Sequence, residues 1–240
     1  STGVTLFPAD DGDIDTLLRH ADQAMYQSKQ AGRNRYQLFD TQYDQDAVNK
    51  HHRLAEIEHG LINNEFTLYY QPKVNMVTGE VFGVEALIRW LHPEKGLIPP
   101  LSFLPFIDGT DIEIMLGNWV INKALGQLQY WNKQNIDLEV SVNIASHHLR
   151  SERFFTQLSH ALAEHPTVNA HSLQLEILES SALGDLDAIS NIIKTIQNEL
   201  GVNVALDDFG TGYSSLTHLR NLSASTLKID QSFVRDILED

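Results

Sequence analysis

Val202-Asn-Val-Ala-Leu-Asp-Asp-Phe209 decides the fold. A strand sends successive side chains to opposite faces. One face of this stretch therefore carries Val202, Val204 and Leu206, and the other Asn203, Ala205 and Asp207. Four more segments divide in the same way. Val81–Trp90 sets Phe82, Val84, Ala86 and Ile88 against Gly83, Glu85 and Leu87. Leu138–Ile144 sets Val140 and Val142 against Ser141 and Asn143. Leu173–Leu178 sets Leu173, Leu175 and Ile177 against Gln174 and Glu176, and Thr226–Asp230 sets Leu227 and Ile229 against Thr226, Lys228 and Asp230. One face is apolar throughout, as expected beneath helices. The other is small or polar in most of them and carries a charged or amide group near the strand's C-terminal end. An open doubly wound sheet needs both faces apolar. An α/β barrel with helices outside and a site at the C-terminal ends of its strands accounts for the asymmetry.

The rest of the chain fits that reading. A further strand, Phe66–Val74, precedes Val81–Trp90 across a short Thr78-Gly79 turn, which predicts a hairpin. Helical stretches near Ile114–Gln134, Arg153–Glu164, Asp187–Leu200 and Tyr213–Arg220 separate the later strands, so those strands should be parallel. Upstream, Asp13–Gln30 has the spacing of an amphipathic helix, with Gly32 as its C-cap and Arg35–Phe39 as a short strand. The polar stretch Asp40–Asp46 marks a boundary before a helix over Ala47–Ile62.

The chain has 240 residues, enough for one large domain and part of another. It has no cysteine, which excludes a disulfide scaffold, a thiolate zinc site and a thiol nucleophile. Its 17 basic residues against 32 acidic ones, a net charge of −15, argue against polymeric nucleic acid as a partner. There is no signal-peptide pattern and no apolar run of membrane-spanning length, so a soluble, cytoplasmic chain is expected.

Glu85, Asn143, Glu176, Asp207, Asp208 and Lys228 are thus expected to converge at one rim. Carboxylates and an amide oxygen are hard ligands, suited to Mg2+, Mn2+ or Ca2+. Without a cation they would repel one another and raise each other's pKa values. Two adjacent divalent ions can activate a water and stabilise a leaving oxygen in phosphodiester cleavage, and a lysine such as Lys228 can hold the water or the phosphate. The lesser signals read as structural. His51-His52 and His147-His148 read as surface pairs, and Ile189, Ile192, Ile193 and Ile196 as core. Gly210-Thr-Gly212 reads as a loop without the lysine of a phosphate-binding loop, and Ser214-Ser215 lacks a histidine beside it in the motif.

Gly83-Val-Glu-Ala-Leu-Ile-Arg-Trp90 resembles the signature of the EAL domain, a family of phosphodiesterases that linearise the bacterial messenger cyclic di-GMP. Tyr70-Gln-Pro-Lys73, Val142-Asn-Ile144, Leu175-Glu-Ile-Leu-Glu-Ser180, Asp207-Asp-Phe-Gly-Thr-Gly-Tyr-Ser-Ser-Leu216 and Leu227-Lys-Ile-Asp230 match in order and spacing. Leu178 stands where the family usually has Thr, and Phe106–Glu113 departs from the family's usual Ala-Glu pattern. The resemblance covers roughly residues 46–240 and implies a TIM-like barrel with two ions, Mg2+ or Mn2+, and Ca2+ as an inhibitor. By position, Glu85, Asn143, Glu176 and Asp207 resemble metal ligands and Asp208 a ligand of the second ion. Lys228 resembles the lysine that orients the water, and Glu179 the glutamate that steadies the loop after Asp207. Gln71, Leu87 and Arg89 stand where the family contacts the dinucleotide.

Ala21-Asp-Gln-Ala-Met-Tyr-Gln-Ser-Lys29 with Gly32-Arg-Asn-Arg-Tyr36 resembles the closing helix and strand of a GGDEF domain, the diguanylate cyclase fold. The expected organisation is a GGDEF remnant over 1–40, a linker and helix over 41–63, and an EAL domain over 64–240. The family's later motifs lie beyond the six strand-like segments seen here, so the barrel is expected to be incomplete and the chain a fragment. Upstream GGDEF or sensor domains, a membrane anchor among them, would belong to the full-length protein. The resemblance also implies a homodimer through the EAL domain. The expected function is metal-dependent hydrolysis of cyclic di-GMP to linear pGpG. The alternative is a receptor that binds cyclic di-GMP without turnover, and a dimerisation scaffold is a third reading.

Overall fold

Thr2–Val4 (β1) lies parallel to Tyr36–Leu38 (β2), and a 17-residue helix, α1 (Ile14–Gln30), connects them. Asp13 starts that helix: its carboxylate accepts the Thr16 N–H at 2.9 Å. At the other end the cap is Ala31, and Gly32 follows with φ 98°, a left-handed conformation that suits glycine. The three-residue β1 is too short for alternation to betray it. The computed structural model describes residues 1–179, 186–210 and 223–236, in two units, Ser1–Ala55 and Glu56–Asp240. Helix α2 runs over Thr41–Ile62, so the polar stretch read as a boundary is helical. It contains no Gly or Pro that would stop a helix there.

The second unit is built on one sheet. β3 (Phe66–Val74) and β4 (Val81–His92) form the expected hairpin, with Gln71 opposite Glu85. Its turn is held by the Asn75 side chain, which accepts the N–H groups of Val77 and Thr78, and Gly79 takes φ 75°. A short β5 (Gly96–Ile98) folds back on the end of β4. Then come β6 (Glu139–Asn143), β7 (Leu173–Leu178), β8 (Asn203–Phe209) and β9 (Thr226–Ile229). The order is β3-β4-β6-β7-β8-β9, parallel from β4 onward. Among the described residues β9 and β3 do not pair, so the barrel is not closed.

After the short helix α3 (Leu104–Ile107), α4 (Asp111–Lys133) links β4 to β6. α5 (Ser146–Leu149) and α6 (Phe154–Glu164) lead on to β7. α7 (Leu186–Thr195) continues through a wider turn, Ile196–Leu200, to β8. α8 (Gln231–Asp236) follows β9. The expected helix over Tyr213–Arg220 lies outside the described residues.

Most of the apolar strand face packs under these helices, while Phe82, Leu227 and Ile229 stay exposed. Val84, Ala86, Val140, Val142, Leu173, Leu175, Ile177, Val204 and Leu206 join Ile189, Ile193 and Ile196 in one buried cluster. Each Val, Leu or Ile among them contributes about 1.5–3 kcal/mol through burial. The surface reading of His147-His148 needs correction. His147 is exposed, but His148 is fully buried. It packs against Gly117 of α4, where a methyl group would come within 2.2 Å of its ring. An adjacent pair cannot share one environment, and the sequence does not show which member faces the helix.

Candidate metal centre

The strand register explains how separate segments meet. Glu85 on β4 is level with Ser141 on β6, so Asn143 lies one inward-facing step further along. Asn143 is level with Glu176 on β7. Glu176 is level with Ala205 on β8, one inward-facing step before Asp207, and Ala205 is level with Thr226, one such step before Lys228 on β9. The stagger is the shear of a tilted barrel, and it brings Glu85, Asn143, Glu176, Asp207 and Lys228 to one layer.

Within that layer, one carboxylate oxygen from each of Glu85, Glu176 and Asp207 lies within 4.8 Å of the others. Lys228 Nζ sits among them, donating to Glu176 Oε2 at 2.6 Å, Asp207 Oδ2 at 2.9 Å and Glu85 Oε2 at 3.2 Å. Asn143 Nδ2 donates to Glu85 Oε1 at 2.9 Å. Glu176 is 1% exposed, and its second oxygen, Oε1, is buried without a hydrogen-bond partner. Burial raises the pKa of Glu176, and the hydrogen bond from Lys228 opposes that rise. For Lys228, burial pushes the pKa down, but the hydrogen bonds to Glu176 and Asp207 outweigh it, so the ammonium is held well above its ordinary range. A buried oxygen without a partner, within a set of oxygen donors, fits a hard divalent cation.

Asp208 stands apart from the three clustered carboxylates. It is exposed, with φ 54°, and its N–H donates to Asp207 Oδ1 at 2.9 Å. Burial, then the charges of Asp207 and Asp230, raise its pKa. Glu179 is 1% exposed, and its Oε2 accepts the Gly210 N–H at 2.8 Å, which ties it to the segment after Asp207. Gln71 is exposed, opposite Glu85. Leu87 and Arg89 continue the Glu85 face along β4, so Arg89 lies about 13 Å from Glu85 at the usual strand rise. The Arg89 guanidinium lies over the Tyr69 ring at 5.5 Å and donates to the Ile88 carbonyl. The rest of the loop, 211–222, with Gly212, Ser214 and Ser215, lies outside the described residues.

Two features were not singled out from the sequence. One is a second polar layer a single inward-facing step below the first. Lys73 Nζ donates to Ser141 Oγ at 2.6 Å and to Gln174 Oε1 at 3.3 Å. Ser141 Oγ donates to Gln174 Oε1 at 2.8 Å, and Gln174 Nε2 donates to Thr226 Oγ1 at 3.2 Å. Lys73 pairs with Gly83 on β4, where a methyl group would lie 3.1 Å from Lys73 Cε, so the glycine leaves room for the lysine stem. The signal was the glycine at that position of β4, legible only once the hairpin register is known. The other is a cavity of about 320 Å3 beside the carboxylates, reached by Asn143 and Glu176 and walled by Leu87, Ile107 and Leu178. Glu113 lines it, buried, with its Oε2 accepting the Gly109 N–H at 2.7 Å.

An incomplete α/β barrel with an oxygen-rich centre at its strand ends defines the class, and the chain belongs to the EAL domain family, whose model matches residues 54–240. A second family model, the diguanylate cyclase GGDEF domain, matches residues 1–35. Among curated relatives, the bifunctional diguanylate cyclase/cyclic di-GMP phosphodiesterase MucR of Pseudomonas aeruginosa is 37% identical over 241 residues, covering 100% of this chain and 35% of the relative. The cyclic di-GMP phosphodiesterase PdeR of Escherichia coli is 36% identical over 237 residues, covering 99% of this chain and 35% of the relative. The chain thus spans about a third of the length of these relatives. A solved structure, the PaMucR phosphodiesterase in complex with c-di-GMP, superposes with a TM-score of 0.73 at 37% identity, covering 79% of this chain and 76% of that one.

Proposed function

We propose that this chain belongs to a protein that hydrolyses cyclic di-GMP to linear pGpG, with two divalent ions, Mg2+ or Mn2+. The observation that carries the reading is the layer in which Glu85, Glu176 and Asp207 converge to within 4.8 Å. Glu85, Asn143, Glu176 and Asp207 would hold the first ion, and Asp208 would be a ligand of the second. When bound, the ions would supply a more acidic water and positive charge beside the leaving oxygen. Lys228, kept protonated by its carboxylate partners, acts as a donor that orients the water and the phosphate. Water oxygen bonds to phosphorus, the phosphorus–O3′ bond breaks, and a water proton passes to the departing O3′, so the ring opens at one phosphate to a 5′-phosphate and a 3′-hydroxyl. Gln71, Leu87 and Arg89, along one edge of the site, contact the extended dinucleotide. The apolar cavity with Glu113 suits one purine, whose N–H edge a carboxylate oxygen can accept. Glu179 fixes the start of the loop after Asp207 through Gly210. Ca2+ inhibits because it accepts the same oxygens with longer bonds and looser geometry than Mg2+.

The match of residues 1–35 to a GGDEF domain supports the division into a remnant over 1–40, a linker and helix over 41–63 and the EAL domain over 64–240. It also supports upstream GGDEF or sensor domains in the full-length protein. Family membership supports a homodimer through the EAL domain. A cytoplasmic site of action fits an acidic chain in which no described helix is long and apolar enough to cross a membrane. Chromatography of cyclic di-GMP incubated with the protein and Mn2+ tests the reading. Linear pGpG, lost on chelation and in Glu85→Ala, is expected; tight binding with no product supports a receptor instead.

A further inference from the structure

Asp208 is held at φ 54°, in the left-handed region that few residues other than glycine adopt. Such a conformation persists where its surroundings fix it. Three contacts fix the turn that contains it. Gly210, at φ 100°, gives its N–H to Glu179 Oε2 at 2.8 Å. The Asp230 N–H donates to the Phe209 carbonyl at 3.3 Å. The ring of Phe233 lies against the Gly210 Cα, and a methyl group there would come within 2.7 Å of Phe233 Cε2 and 2.8 Å of Cζ.

Phe233 is itself placed by the strand that carries Lys228. Asp230 accepts the Ser232 N–H at 2.9 Å and the Ser232 hydroxyl, which starts α8, and the Phe233 N–H donates to the Asp230 carbonyl at 3.2 Å. The ring remains 47% exposed, so packing into the core is not its main contribution. One short segment, Lys228 to Phe233, therefore delivers an ammonium to the carboxylate layer and an aromatic brace to the turn beyond it.

We infer that Phe233 is a positioning residue: its ring braces the Asp207–Gly210 turn and so fixes the Asp208 carboxylate for the second divalent ion. The inference rests on the reading of Asp208 as a ligand of that ion. Calorimetric titration of the intact protein with Mn2+, without substrate, tests it. Wild type takes up two ions, and Asp208→Ala loses one of them. Phe233→Ala weakens that same site about 10- to 100-fold, the usual cost of removing a residue that orients a ligand, and leaves the other site unchanged. Phe233→Leu, which keeps part of the contact, gives a smaller loss at the same site.

Phe233→Ala binding both ions like wild type overturns the inference, as does a variant that weakens both sites alike or one whose Tm falls while both affinities hold. Should Phe233→Ala fail to fold, Phe233→Leu decides: second-site affinity equal to wild type overturns the inference. A wild-type protein that takes up one ion, with affinity unaltered by Asp208→Ala, removes the two-ion reading itself and this inference with it.

Discussion

Two layers of side chains line the same face of the sheet, offset by two residues on β4, β6, β7, β8 and β9, and they are built in opposite ways. The lower layer is Gly83, Ser141, Gln174, Ala205 and Thr226, with Lys73 threaded in past the glycine. It is small and neutral apart from one ammonium, and a continuous chain of hydrogen bonds runs through it. The upper layer is Glu85, Asn143, Glu176, Asp207 and Lys228, three carboxylates around one ammonium, with a buried Glu176 oxygen lacking a partner. A satisfied buried network fixes strands in register. A layer with surplus negative charge and an orphaned oxygen calls for more positive charge than the chain itself provides, which is the charge a divalent cation would supply. Two residues of travel along each strand therefore separate a structural layer from a chemical one.

The contrast breaks most visibly at the top. In the full-length protein, on the proposed function, Glu85→Ala is expected to lower cyclic di-GMP hydrolysis about a thousandfold, the scale of losing a preorganised electrostatic group, with little change in Tm; chromatographic turnover assays check it. Next comes Lys228→Met, which leaves three carboxylates without their shared ammonium. Stability in chelator should fall by about 3 kcal/mol and recover on addition of Mn2+, as followed by urea unfolding. Gln174→Leu acts on the lower layer and should reverse the pattern. Stability falls by about 1–3 kcal/mol, because Ser141, Thr226 and Lys73 each lose a buried partner, while kcat changes far less than in Glu85→Ala.

The smallest effect lies on the helix side of the sheet. Burial, and to a lesser degree His147, holds the His148 pKa down at about 4. Its unfolded form takes up a proton near pH 6.5, so the stability it contributes above that pH declines as pH drops toward 4. Unfolding free energy should fall by about 0.7 kcal/mol from pH 7 to 6, before the carboxylates titrate, and His148→Asn should lack that slope.

The fold was legible because period-two alternation with one apolar face, repeated over strands of four or more residues, is a strong signal. Phe66–Val74, Leu173–Leu178 and Thr226–Ile229 fall where the pattern places them. The elements that escaped are the three-residue β1 and β5, too short to show alternation, and the helices α3, α5 and α8, which at four to six residues span less than two turns and show no helical period. The convergence of Glu85, Asn143, Glu176, Asp207 and Lys228 was legible because each stands at the polar end of an alternating strand. The lower layer was not. Lys73 reaches Ser141 and Gln174 across sequence separations of 68 and 101 residues, a contact set by hairpin register and by a missing side chain at Gly83. His148 escaped because neighbouring identical residues carry no mark of which one turns inward.

Calorimetry of Mn2+ binding to wild type and to Glu176→Gln addresses the central claim most directly, since the substitution keeps shape and removes one charge from the buried centre of the upper layer. Wild type should bind Mn2+, and Glu176→Gln should bind it at least about 100-fold more weakly while remaining folded. Equal affinity in the two proteins would contradict it.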